Sequence, residues 1–101
     1  MLNNSFQNII DSEKPVLIDF YADWCGPCRM MPPVLKELKD RMGDQIKIFK
    51  VNVDEHNDVA AHFQVSSIPT LMVFKKGELL WREPGVKNTS QLQQILQSYV
   101  S

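Results

Sequence analysis

The sequence predicts an α/β fold: a mixed sheet of four or five strands with helices on both faces. Three features carry this expectation. Residues 16–22, VLIDFYA, are apolar at both alternations, as in a central strand buried on two sides. A helical stripe and a second apolar run follow, and a strand–helix–strand unit of this length makes its two strands parallel with a right-handed crossover. Two further short runs flank Lys76-Gly77 and read as an antiparallel hairpin, ahead of a last amphipathic segment. The chain has 101 residues, 44% of them hydrophobic and 23% charged, and is expected to form one domain over 1–101.

The elements follow in order. Residues 5–11 form a short helix, which Lys14-Pro15 ends before the first strand. Met30, Met31, Val34, Leu35, Leu38 and Met42 then recur at helical spacing, with Gly43 where a terminating glycine belongs. That helix starts at about Gly26 or Pro27. Pro27 suits a first turn, whereas Pro33 clashes with the carbonyl of Arg29 and predicts a kink there. Residues 46–53 are the second strand and 57–63 a short helix. The hairpin strands are 70–75 and 78–83. In the final helix Leu92, Ile95, Leu96, Tyr99 and Val100 make one stripe, and Ser90 with Gln93 fits a capping box. Trp81 and most of the five methionines read as packing residues, and His56 and His62 as surface residues.

Composition narrows the function classes. A formal net charge of −1 with no run of Lys or Arg argues against nucleic acid or an anionic membrane as the main partner. The opening MLNNSFQNIIDSEKP lacks a basic n-region followed by an apolar h-region, and no stretch approaches the roughly 18 apolar residues of a membrane span. The expected location is the cytoplasm; an exported form would require a leader since removed. No repeat or low-complexity segment is present.

Both cysteines, Cys25 and Cys28, fall within the stretch ADWCGPC. Three chemistries use such a pair. As a structural staple it is badly placed, because closing a four-residue loop restricts the unfolded chain by only about 2 kcal/mol. Zinc needs four ligands, and His56 and His62 lie much further along the chain than the gap of about 12–15 residues in a compact finger. The third chemistry is a cycling dithiol. The strand ends just before Cys25 and a helix begins just after it, so unpaired N–H groups and the positive end of the helix dipole favour a thiolate there. Lowering a thiol pKa from about 8.5 to about 7 raises the thiolate fraction at neutral pH from a few per cent to one half. Cys28, one turn further in, is shielded yet within reach of the Cys25 sulfur to resolve a mixed disulfide.

WCGPC at the end of a VLIDFYAD strand, with SIPTL downstream, resembles the thioredoxin family, and the likeness covers nearly the whole chain. It implies a thioredoxin-like fold and a thiol-disulfide oxidoreductase that reduces protein disulfides. Asp19, the only polar residue of its strand, matches the family's buried acid, which takes the proton of Cys28; the alternative is an Asp facing a water-filled crevice. Burial raises such a carboxyl's pKa. Lys50 matches the lysine paired with that acid, against the alternative of a solvated edge lysine. Pro69 matches a cis proline opposite the cysteines, which frees the Ile68 backbone to pair with an extended substrate peptide. Trp24, Gly26, Pro27, Ile68, Gly85 and Val86 are expected to form a flat, uncharged rim around Cys25.

The resemblance further implies that no cofactor is bound and that the Cys25–Cys28 disulfide is the redox group. Its electrons come from NADPH through a thioredoxin reductase, and the chain acts as a monomer on disulfide-containing proteins. The Gly-Pro pair is the one found in reducing members. Two departures stand out: few residues precede Ser5 to build the family's extra edge strand, leaving four strands or a stub at 2–4, and Tyr21 replaces a second tryptophan of many bacterial members. The competing reading is a binding subunit whose cysteines are dispensable.

Overall fold

A computed structural model of the chain describes residues 3–100. Among the described residues four α-helices and four strands follow one another as α1 (Asn4–Ile10), β1 (Val16–Tyr21), α2 (Met31–Met42), β2 (Lys47–Asn52), α3 (Asn57–His62), β3 (Thr70–Lys75), β4 (Glu78–Pro84) and α4 (Thr89–Gln97). The sheet order is β2-β1-β3-β4, with β1 parallel to β2 and antiparallel to β3. Of the two strand numbers expected, four is observed. Asn3 caps α1, its Oδ1 accepting the Phe6 N–H at 2.9 Å, and Asn4 is already helical. Neither belongs to a strand stub; Leu2 lies outside the described residues.

The sheet's period of two divides the core between its faces. Leu17, Leu71 and Val73 pack under α2 and α4 with Leu35, Leu38, Leu92 and Leu96. Val16, Ile18, Phe20, Met72 and Phe74 pack under α1 and α3 with Phe6, Ile10 and Val59. Asp19 follows the alternation of Leu17 and therefore points to the α2 side.

Proline placement shapes the approach to α2. Neither Pro32 nor Pro33 can donate to the carbonyl one turn back, so residues 27–30 wind as a 3-10 turn and the α-helix starts only at Met31. The predicted kink at Pro33 thus becomes a change of helix type before it. The tighter turn shifts the helical phase and leaves Met30 60% exposed, off the stripe to which its spacing assigned it.

The hairpin turn has both Lys76 and Gly77 at positive φ, 54° and 81°, the conformation of a type I′ turn and the reason glycine is used at its second position. Its two N–H groups donate to Ser12 O at 2.7 Å and Ile10 O at 3.0 Å, fastening the hairpin to the end of α1. Trp81 is partly buried against the α2 side of the core, as expected of a packing residue.

The start of α4 differs from the predicted cap. Asn88, and not Ser90, is the cap: its side chain accepts the Gln91 N–H at 2.8 Å while Gln91 Oε1 accepts the Asn88 N–H at 2.9 Å. The same spacing occurs twice, two residues apart, and the earlier one is used because Thr89 is buried and donates to Glu37 Oε1 at 2.6 Å, drawing it into the helix. Asn88→Ala is expected to cost about 1 kcal/mol, read as a lower urea midpoint, with Ser90→Ala nearly silent.

Candidate active site

Cys25 and Cys28 are joined by a disulfide at the C-terminal end of β1, with Cα atoms 5.4 Å apart. Cys25 N–H donates to Ala22 O at 3.2 Å, ending the strand in a tight turn, and Gly26 leads into the 3-10 turn. The Cys28 N–H, a free donor of that first turn, points at Cys25 Sγ at 3.2 Å. This donor would stabilise a Cys25 thiolate more than a thiol. Both residues are nearly covered, 4% and 5% exposed, and pack with Ala22, Tyr21, Val53 and Ile68.

The segment ahead of β3 forms the facing wall. The Ile68–Pro69 peptide is cis, as the resemblance implied. Ile68 O lies 3.7 Å from Cys25 Sγ, and among the described residues no hydrogen bond engages the Ile68 N–H. Pro69 is buried, and its carbonyl accepts the Gly85 N–H at 2.8 Å. Gly85 sits at φ 96°, a conformation costly for any residue with a Cβ, and the exposed Val86 follows it on the same margin.

Beside the cysteines in the chain, Gly26 and Pro27 are exposed and Trp24 is 69% exposed. Of the other residues expected in the rim, Gly85 and Val86 are exposed and Ile68 O lies against Cys25 Sγ. The surroundings of Trp24 are not free of charge: Trp24 Nε1–H donates to Asp54 Oδ2 at 2.8 Å, so a carboxylate stands beside the ring and fixes its pose.

In β1 Asp19 is fully buried, and neither carboxylate oxygen has a hydrogen-bond partner. Desolvation raises its pKa from 3.8 to about 6, partly opposed by the positive charge of Lys50. Lys50 is its partner residue in the ladder with β2, yet the ammonium makes no direct bond to the acid. It sits instead over the Tyr21 ring, 4.5 Å from the centroid. Lys50, Tyr21, Asp23, Arg29, Pro32 and Cys28 line a crevice of about 240 Å³ opening beside the inner cysteine. Asp19 lies beneath the surface and does not line it.

This arrangement, an N-terminal-turn disulfide facing a cis-proline wall on a β2-β1-β3-β4 sheet, coincides with a family match along the chain. The model of the family described as Thioredoxin matches residues 1–98. The chain belongs to the thioredoxin family. The thioredoxin of Bacillus subtilis is 47% identical over 89 residues, covering 88% of this chain and 86% of its own. A single-site mutant of a thioredoxin from Halobacterium salinarum superposes with a TM-score of 0.89 at 32% identity, covering 100% of this chain and 88% of that one. A structure solved for the thiol-resolving mechanism of yeast mitochondrial 1-Cys peroxiredoxin via the glutathione and thioredoxin systems superposes at 0.85 with 33% identity, over 96% and 90% of the two chains.

As a thioredoxin-family member the chain is a thiol-disulfide oxidoreductase, and its redox group is the Cys25–Cys28 disulfide. Thioredoxins need no bound cofactor. Among the described residues no group of three or more His, Cys, Asp or Glu comes together as a metal site, and no helix is long and apolar enough to cross a membrane. His56 and His62 are exposed at the two ends of α3. The sequence reading missed Asp54, whose bond to Trp24 spans thirty positions and leaves no local signal, and Tyr21 as a seat for the Lys50 ammonium.

Proposed function

We propose that this chain is a cytoplasmic, monomeric reductant of protein disulfides, recharged by an NADPH-dependent thioredoxin reductase. The observation that carries the reading is the Cys25–Cys28 disulfide set against the Ile68 backbone, with the exposed Trp24 next to Cys25 in the chain. In the dithiol form Cys25 thiolate attacks one sulfur of the substrate disulfide, and the departing substrate thiolate takes a proton. Cys28 then loses its proton to Asp19, directly or through a water, and attacks Cys25 Sγ. The second substrate thiol leaves, and the two electrons of the dithiol have passed to the substrate.

Each rim residue has a part in this scheme. An extended substrate segment pairs with the Ile68 backbone above Pro69, while Trp24, Gly26, Pro27, Gly85 and Val86 give it a surface without deep pockets, suited to many proteins. Lys50 tunes Asp19 through space. The likeness to a structure concerned with peroxiredoxin resolution supports peroxide-oxidised proteins as one substrate class.

The test is a redox titration of Cys25–Cys28 against dithiothreitol and glutathione buffers, followed by Trp24 fluorescence. A two-electron midpoint near about −270 mV, the level of reducing thioredoxins, is expected. A midpoint above roughly −200 mV would assign an oxidase or isomerase role instead.

A further inference from the structure

Alternate residues of a strand share a face, and so do ladder partners on neighbouring strands. Asp19, its partner Lys50 and Tyr21 therefore all project on the α2 side of the sheet. Asp19 is buried and Lys50 exposed, and Tyr21 is half-buried between these extremes. A lysine ammonium on its flexible four-carbon stem has many rotamers, and at an exposed position most of them lead into water. That freedom weakens any through-space effect on a fixed partner, because the Coulomb energy falls with distance.

In this chain the ammonium has a seat. It lies 4.5 Å from the centroid of the Tyr21 ring, and among the described residues it has no salt bridge or hydrogen bond besides. A ring–ammonium attraction at an exposed site multiplies the population of its pose by roughly two- to fivefold. From that seat Lys50 favours the Asp19 carboxylate, against the desolvation that disfavours it. The other charged groups nearby do not take this part. Asp23 and Arg29 line the crevice with Tyr21 and Lys50, and Lys36, Lys39 and Lys47 line a second cleft that Lys50 shares. Among the described residues Lys50 is the one charge that shifts Asp19. β3 sets the apolar Leu71 beside the acid, and α2 and α4 pack on this face through leucines.

We propose that Tyr21 is a positioning residue for Asp19: its ring seats the Lys50 ammonium and so fixes how strongly that charge supports the carboxylate. The inference rests on the function proposed above for Asp19 and Lys50, and adds what holds Lys50 in place. Removing the ring lowers the population of the seated pose, so the stabilisation that the seated charge gives the carboxylate is felt for a smaller share of the time.

The test follows the Asp19 carboxyl by carbon-13 NMR in the oxidised chain as pH is varied. In Tyr21→Leu the Asp19 midpoint is expected to rise by a few tenths of a pH unit, and by no more than about 0.7, the logarithm of the fivefold factor. Tyr21→Phe keeps the ring face and should leave the midpoint in place. Lys50→Met should raise it at least as far as Tyr21→Leu, and adding Tyr21→Leu to Lys50→Met should change nothing more. A midpoint that stays or falls in Tyr21→Leu overturns the proposal. So does an equal shift with Lys50→Met already present, which would trace the effect to solvation of the acid. Because the chain is read as the disulfide, the result does not depend on which group takes the Cys28 proton. The pH profile of mixed-disulfide resolution should move with the carboxyl; a profile that stays while the carboxyl moves upholds the seat and removes Asp19 from the proton transfer.

Discussion

Asp19→Asn is expected to gain stability over the parent chain as pH rises, by roughly 2 to 3 kcal/mol between about pH 4 and pH 8. The sign follows from the raised pKa, 3.8 in the free carboxyl and about 6 in the fold. Below the lower value both states hold the proton and Asp19 adds no penalty. Between the two values the unfolded chain ionises freely while the folded chain does not, so folding becomes less favourable. Above about 6 the buried carboxylate forms as well, and the penalty stays constant. Asparagine has the same shape and no titration, so comparing the two chains across pH cancels the cost of burying a polar group without a partner. Urea melts at the two pH values give the result directly, and parallel pH dependences would mean that Asp19 titrates normally.

The same substitution should slow resolution of a preformed mixed disulfide while leaving the first attack nearly intact. Equal slowing of both steps would remove Asp19 from the chemistry. A stabilising change that impairs turnover is the trade expected when an uncompensated buried group is kept for function.

Cys25→Ser is expected to abolish disulfide reduction, with a loss on the order of a thousandfold or more, because it deletes the nucleophile from a pair that acts as a unit. Cys28→Ser should be equally inactive in turnover but different in outcome. Attack by Cys25 still proceeds, no neighbour resolves the product, and the mixed disulfide accumulates as a covalent adduct visible by mass spectrometry. Adducts on Cys28 of the Cys25→Ser chain, in place of adducts on Cys25, would reverse the roles. Full biological activity of either variant would favour the binding-subunit reading. Each variant also loses the short disulfide loop, which costs about 2 kcal/mol at most, so both should remain folded.

The catalytic pair and its helix start were legible because they are local: a strand that ends, a cysteine, and a proline suited to a first turn. Asp19 was legible because it is one polar residue in an otherwise apolar run. The prolines at 32 and 33 were read as a kink, whereas removing two donors converts a whole turn to 3-10 geometry and carries Met30 out to solvent. The cap of α4 was misassigned because a spacing rule satisfied twice is decided only by the Thr89–Glu37 bond between two helices. Asp54 was out of reach for the same reason: its contact with Trp24 exists only once β1 and β2 lie side by side. That Lys50 would settle on Tyr21 and not on Asp19 depends on the rotamer of a long side chain, which no residue pattern encodes.

The central strand has a consequence for how the chain is made. β1 is translated before both of its neighbours, Lys47–Asn52 and Thr70–Lys75. At about 5–20 residues per second, the VLIDFY segment spends several seconds of synthesis before both of its edges can be covered. The growing polypeptide therefore passes through a sticky stage that ends only when residue 75 emerges, and chaperones that shield apolar nascent segments would act in that interval.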